Sequence, residues 1–424
     1  MELKSAGEID VQQMEIISSK GIAIDVKHMM LSLNIFEDMF SPFITGSVVI
    51  KDALDLVNYF PLVGNEVLNL RLATPGFKDK GTFIENSFRI YKLEDREMAG
   101  DRVVSYTLHF ISVEALLDLN IKISKSYNDN IGNLVKKVLS EYSLNPESDR
   151  FHVEPTLNGI SYVSNFWSPI KNLNYLAEHA VNVNDSPTFL FFENRNGLNF
   201  VSLDTLYGAD PVRMFVKDSY SRDINSTKSI RNIERDFSQI LDLNIPVSFD
   251  YISNIQSGTY SSTLITHDMT TKNYAVRTFD VLDSYDKDKR LNKYPLLSKT
   301  LNHSPVSAIA TIHKANAVMA GNHDISNSKY FQRRRSLLQL AESVKIQITV
   351  LGRTDYTVGQ KVELKLYQNK PIDKRDTEEE IRDNMFSGFY LISSIRHNIG
   401  VSMHQCTMEL VKDSFDINLN KVAK

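Results

Sequence analysis

Over the first hundred residues apolar and polar side chains alternate in short runs set between turn residues, the period of two that a half-buried strand requires. Gly46 and Ser47 lead into Val48, Val49 and Ile50, and Phe60-Pro61-Leu62-Val63-Gly64 leads into Val67, Leu68 and Leu70. The clearest run covers residues 105–110, with Tyr106, Leu108 and Phe110 on one face and Ser105, Thr107 and His109 on the other, so His109 reads as a solvent-side residue. Such strands, spaced by roughly ten residues with almost no helical periodicity among them, predict a small antiparallel barrel or sandwich over residues 1–113.

The period changes after Glu114. Ile131, Leu134, Val135, Val138, Leu139 and Tyr142 recur at threes and fours, which predicts an amphipathic helix with Asn128 and Asp129 as its caps. Ser168-Pro169 opens a second helix whose buried face is Ile170, Leu173, Ala177, Ala180 and Val181. Residues 188–192 and 198–203 then read as a hairpin around Asn194-Arg195-Asn196-Gly197, where Asn-Gly supplies positive backbone angles. These elements predict an α+β region over residues 114–232.

A mixed stretch follows over 233–260, and residues 261–328 are polar and Tyr-rich with poor periodicity, so 261–342 reads as an insertion ending in a helix that carries Tyr330, Phe331, Leu337, Leu338 and Ala341. Its Arg333-Arg334-Arg335 run reads as the wetter side of that helix, with an acidic partner as the alternative. Alternation returns at Ile346, Ile348 and Val350 and at Val362, Leu364 and Leu366, and residues 389–395 and 405–411 add two more strands. Residues 233–260 with 343–413 therefore form a second β-barrel, 373–384 a charged loop or short helix, and 414–424 a tail. The fold class is α+β, mainly β: two antiparallel barrels, an α+β middle and an insertion.

Composition narrows the function. With 424 residues, 42% hydrophobic and 24% charged, the chain can bury several cores. Lys plus Arg is 48 against 52 for Asp plus Glu, a near-balance that argues against a protein whose work is neutralising phosphates. The single cysteine, Cys406, allows no internal disulfide and no Cys-rich zinc site. No export signal and no apolar run of the ~18 residues a membrane span needs is visible, so no membrane insertion is expected. The Asn-x-Ser/Thr triplets at Asn225 and Asn302 would matter only in a secreted eukaryotic chain.

Catalytic and cofactor motifs were sought by spacing. Gly321-Asn322-His323-Asp324 has the form of one element of a dimetal phosphoesterase, but Asp25-Val26-Lys27-His28 and Gly100-Asp101-Arg102-Val103-Val104 do not complete the ligand set, so it reads as a surface loop. His267, His303, His313, His397 and His404 show no i,i+4 helical pair and read as structural histidines. No phosphate-binding glycine loop and no nucleophile elbow is present. Glu193 and Asp204 flank the hairpin as two solvated acids, and Trp167 reads as a packing residue. The expectation is no catalytic, cofactor or metal site.

Three stretches carry a resemblance. Phe40-Ser41-Pro42-Phe43-Ile44-Thr45-Gly46-Ser47-Val48-Val49-Ile50-Lys51-Asp52 with Phe60-Pro61-Leu62-Val63-Gly64-Asn65-Glu66 resembles the opening barrel of baseplate hub proteins of contractile-tailed bacteriophages. Trp167-Ser168-Pro169-Ile170-Lys171-Asn172-Leu173-Asn174-Tyr175-Leu176-Ala177, followed by residues 189–203, is similar to the central domain of the same family. Val350-Leu351-Gly352-Arg353-Thr354-Asp355-Tyr356-Thr357-Val358-Gly359-Gln360-Lys361-Val362 and Ser387-Gly388-Phe389-Tyr390-Leu391-Ile392-Ser393-Ser394-Ile395-Arg396-His397 resemble its second barrel, a pattern shared with the hub half of type VI secretion spike proteins.

The three occur in the family's order. The resemblance implies a virion protein of the tail baseplate, two tube-type barrels per chain and a homotrimer that adapts a sixfold tail tube to a threefold spike. Its implied partners are the spike protein, tail tube or tube-initiator proteins and the tape measure protein, with DNA passing only in transit through the lumen. A type VI or other contractile injection hub is the near alternative, and a cell-wall-degrading tail enzyme the distant one. Gly46, Gly64, Gly352, Gly359 and Gly388 read either as structural turn or bulge glycines or as ordinary loop glycines.

Overall fold

The computed structural model describes the chain apart from residues 1–2, 4, 61, 78–79, 101, 143–149, 218–232, 268–271, 273, 298–307, 310–328, 369–380, 402 and 419–424. Asn225, Asn302, His303, His313, the Gly321-Asn322-His323-Asp324 string and residues 373–380 of the charged stretch lie outside the described residues. In the first part the alternating runs become strands β1 (Asp10–Ile17), β2 (Ala23–Asp25), β3 (Met30–Asp38), β4 (Thr45–Asp52), β5 (Val67–Ala73), β6 (Ile84–Gly100) and β7 (Val103–Ser112). They lie in the order β3-β4-β7-β6-β5-β1-β2. On β7 the predicted dry face, Tyr106, Leu108 and Phe110, is buried, and it joins Met14, Leu33, Val48, Leu70 and Phe88 in one core. His109 stays part-exposed beside Glu94, with Nε2 2.8 Å from the carboxylate. Three register shifts interrupt the pairing of β6 with β7, and the end of β6 beyond Leu93 leaves the core.

The middle part holds β8 (Ile123–Asn130), the helix Ile131–Glu141, β9 (Phe151–Val153), β10 (Gly159–Trp167), the helix Pro169–His179, β11 (Phe189–Asn194) and β12 (Gly197–Ser202). Ile131, Leu134, Val135, Val138 and Leu139 are the buried face of the first helix, as their spacing predicts. Its cap differs from expectation: neither Asn128 nor Asp129 but Asn130 caps it, its side-chain oxygen accepting from the Gly132 N–H at 3.0 Å. Strand β8 keeps Asn130 extended, so the helix starts one residue later, and the Asp129 carboxylate accepts the Asn130 N–H instead. Asn130 also exchanges bonds with Thr156, so Asn130→Ala is expected to cost about 1–2 kcal/mol, read as a lowered urea midpoint. Ser168 caps the second helix through the Lys171 N–H, with Pro169 in the first turn.

In the β11–β12 hairpin Asn194 pairs with Gly197, and of the four turn residues only Gly197 has positive φ, at 121°. The Asn194 side chain accepts the Asn196 N–H at 3.0 Å, an Asx turn that holds Asn196 out of the left-handed region expected for it.

The last part comprises β13 (Arg213–Val216), β14 (Ile240–Val247), β15 (Ser261–His267), β16 (Tyr274–Asp280), β17 (Tyr294–Pro295), β18 (Ala308–Ile309), the helix Phe331–Ala341, β19 (Val344–Leu351), β20 (Lys361–Lys365), β21 (Gly388–Gly400), β22 (His404–Lys412) and β23 (Ser414–Phe415). Strands β14-β19-β22-β21 run in order, β20 pairs with β21, and β13 pairs in parallel with β20. Ile346, Ile348, Val350, Val362, Leu364, Tyr390, Met408 and Leu410 fill a second core. In the stretch that shows little periodicity, β15 and β16 pair antiparallel, and β16 is exposed on both faces over most of its length. No alternation is needed there.

The two parts share one sheet. β21 pairs antiparallel with β3 from Ser394 opposite Asp38 to Gly400 opposite Ser32, so β3 has β4 on one side and β21 on the other. Among the described residues the sheet thereby runs through thirteen strands, and interior strands join its two halves. The β11–β12 hairpin stands against both neighbours: Phe189, Phe191 and Phe200 face the middle core, while Phe192 and Val201 face the second.

Candidate functional site

The place where the three parts meet is held by buried polar groups from segments far apart in sequence. Thr357 Oγ1 and the Val358 N–H both donate to the Glu37 carboxylate on β3, the latter at 3.2 Å. Thr74 and Thr354 exchange bonds, each backbone N–H donating to the other's hydroxyl at 3.1 and 3.0 Å. Glu193, near the end of β11, accepts the Ile44 N–H at 3.0 Å and the Ser112 hydroxyl at 2.5 Å. Burial pushes the Glu37 carboxyl up to about 7. Burial, with Glu114 adding to it, pushes Glu193 up to about 8.

These contacts correct the sequence reading of the acids. Glu193 and Asp204 are both buried and do not face each other: Asp204 accepts from Asn182 and Asn184 at 3.2 and 2.9 Å. Acids at the ends of a hairpin are solvated only when nothing packs over them, and here the first barrel covers Glu193 and the segment before β11 covers Asp204. The Arg333-Arg334-Arg335 run is corrected too. Arg333 joins Asp185 and Asp288 at 3.2 and 2.5 Å, and Arg334 donates to the Pro187 and Phe189 carbonyls at 2.6 and 2.9 Å. Arg333 and Arg334 tie their helix to the approach of β11 rather than lying in water. Burial lowers the Arg334 guanidinium to about 10.

The five glycines fall into two groups. Gly64, Gly359 and Gly388 have positive φ, 93°, 82° and 124°. Gly46 and Gly352 do not, but a Cβ built on them would lie 2.2 Å from the Phe110 ring and 2.3 Å from the His404 ring. Trp167 packs against the middle core, 5.2 Å from the Tyr175 ring centroid.

The histidines are not all scattered. His397 on β21 pairs in register with Cys406 on β22, and His404 lies two residues before Cys406 on the same face. The three side chains are fully buried and meet in one cluster. Burial lowers His397 to about 4 and lowers His404 as well, Arg195 adding to the first and His397 to the second. A search for helical i,i+4 pairs misses this set, whereas His-x-Cys on a strand, read at period two, would have put two of its members on one face. Glu37 and Thr357 carry no local signal at all.

Several large apolar side chains are open to solvent. Leu54, Tyr59 and Val63, around the turn between β4 and β5, are 64%, 86% and 76% exposed, and Phe166, Phe249 and Ile252 are also open. Among the described residues no helix is long and apolar enough to cross a membrane.

The architecture, one mainly antiparallel sheet whose two halves join through β3 and β21 with an α+β portion packed beside it, is similar to that of solved tail proteins. It superposes on the tail protein of Neisseria meningitidis MC58 with TM-score 0.52 at 14% identity, covering 96% of both chains. The 43 kDa tail protein of prophage MuSo2 of Shewanella oneidensis matches with TM-score 0.52 at 9% identity, over 96% of this chain and all of that one. In sequence the chain is 21% identical over 437 aligned residues to "Probable baseplate hub protein gp334" of Vibrio phage KVP40, covering 97% of each. No family model matches. The resemblance to phage baseplate hub proteins read from the three ordered stretches is thus met along the whole chain, and these relatives bear the names of structural tail parts, not of enzymes.

Proposed function

We propose that the chain is a structural virion protein of a phage tail baseplate: a hub that forms a homotrimer and joins the sixfold tail tube to the threefold central spike. The observation that carries this reading is the β3–β21 seam. It fuses two similar curled sheets into one body, so three chains present six like units to a tube and a threefold face to a spike. The buried clamps at Glu37, Thr74 and Glu193 serve the same end, since symmetry matching fails if the two sheets rock. Residues 1–113, 114–232 and 233–260 with 343–413 are the units in this scheme, with 261–342 as the insertion. The spike, tube or tube-initiator and tape measure proteins are the partners, and the trimer axis is the channel for DNA.

Light scattering tests this directly. The expected mass is three times 48.3 kDa, rising when the spike protein of the same genome is added. A monomer indifferent to spike and tube proteins overturns the reading.

A further inference from the structure

We propose that His397, His404 and Cys406 bind one d10 transition-metal ion, Zn2+ or Cu+, inside the second barrel. His397 Nδ1 lies 3.1 Å from His404 Nε2, and the Cys406 sulfur lies 3.3 Å from the first and 3.4 Å from the second. A tetrahedral ion with nitrogen ligands at about 2.0–2.1 Å and a thiolate at about 2.3 Å separates N from N by about 3.4 Å and N from S by about 3.6 Å. The observed triangle is therefore one face of a coordination polyhedron to within a few tenths of an ångström. The ligand types are those that borderline and soft ions select over Mg2+ or Ca2+.

Hydrogen bonding alone serves this cluster badly. A neutral imidazole carries at most one inward N–H and the thiol one S–H, and a nitrogen that donates cannot also accept, so at most two of the three short contacts can be hydrogen bonds at once. The outward atoms, His397 Nε2 and His404 Nδ1, are buried and make no hydrogen bond, which is the same with or without an ion, so the inward contacts are what favour one. With an ion bound, all three inward atoms give lone pairs to one acceptor, the thiol proton leaves to solvent, and each ring keeps its proton on the outward nitrogen.

The surroundings suit such a centre. The Arg353 backbone N–H faces the Cys406 sulfur and the Tyr356 carbonyl lies beside His397. The His404 ring lies against the bare Gly352 backbone, where a side chain would collide with it. The His404 N–H donates to the Gly7 carbonyl at 2.8 Å, and its carbonyl accepts the Gly352 N–H at 2.8 Å. An ion here would pin the end of the β21–β22 hairpin, where the N-terminal segment and the loop after β19 also converge. No fourth His, Cys, Asp or Glu among the described residues joins the cluster. A d10 ion accommodates that with three protein ligands alone or with a water added.

The test uses the full chain, free of affinity tag, produced in medium supplied with Zn2+ or with copper under reducing conditions. After gel filtration through a chelator, mass spectrometry for metals is expected to find about one ion per chain, and X-ray absorption to find one S ligand with two N/O ligands, or three where a water completes the shell. The arm that loads identifies the ion. Cys406→Ser and the His397→Ala/His404→Ala pair are expected to lose at least tenfold in metal content. Because those variants can fail to fold, wild-type chain refolded with Co2+ gives a second reading, a sulfur-to-cobalt charge-transfer band. Wild-type chain that carries no ion in either arm and shows no such band overturns the proposal, as does metal that persists without the three side chains.

Discussion

Gly46→Ala is expected to destabilise the chain by about 3 kcal/mol or more, the upper end of what overpacking a core costs. Gly46 sits on β4 directly opposite Phe110 of β7 and Ile35 of β3. A Cβ there would lie 2.2 and 2.3 Å from two Phe110 ring carbons and 2.5 Å from the Asn34 carbonyl oxygen. The ring cannot yield cheaply, since Phe110 is fully buried with its centroid 4.8 Å from that of Phe88. The carbonyl cannot yield without moving β3, the strand that also pairs with β21. Both sheets should therefore feel the change. Gly100→Ala, with nothing within 4 Å of its Cβ, should stay within about 0.5 kcal/mol. Guanidinium midpoints compare the two, and combining Gly46→Ala with Phe110→Leu should recover part of the loss. A Gly46→Ala cost below about 1 kcal/mol contradicts the close approach.

What was legible in the sequence was whatever a short window controls. Tyr106, Leu108 and Phe110 read as one strand face because the pleat alternates whatever lies across from it. Ile131 to Leu139 read as a helix because its stripe has its own period. The Asn130 cap was missed by one residue, since the deciding fact is how far β8 extends. Glu193 and Asp204 were misread for a different reason: Glu193 meets Ile44, 149 positions away, and no window spans that. Arg334 reads as solvated in sequence because its partners are backbone carbonyls, which any sequence could supply. The cluster of His397, His404 and Cys406 depends on the register of β21 with β22, and the hub resemblance on the order of loose motifs. The identity to the baseplate hub relative is 21% over 97% of this chain.

Glu193→Ala is expected to cost about 2 kcal/mol at pH 5, because it orphans the Ile44 N–H, worth about 1–3 kcal/mol when buried without a partner, and leaves the Ser112 hydroxyl only its longer bond to the Ile44 carbonyl at 3.2 Å. Glu193→Gln keeps an acceptor for both, and its effect is expected to depend on pH. In the fold the Glu193 carboxyl holds its proton up to about 8, whereas in the unfolded chain it loses it near 4.5. The folded state thus binds more protons across that window, and Glu193's contribution to stability falls as pH rises through it, by up to about 1.4 kcal/mol per pH unit. Glu37 acts in the same direction up to about 7. Lys412, lowered by burial to about 7, acts in the opposite direction above that pH. Both are common to wild type and variant, so they cancel in the difference. Glu193→Gln should therefore be no more stable than wild type at pH 5 and should gain on it steadily towards pH 8. Denaturant melts of wild type, Glu193→Gln and Glu193→Ala at both pH values measure this, and a wild-type-to-Gln difference that does not move with pH shows that the buried seam does not hold a protonated Glu193.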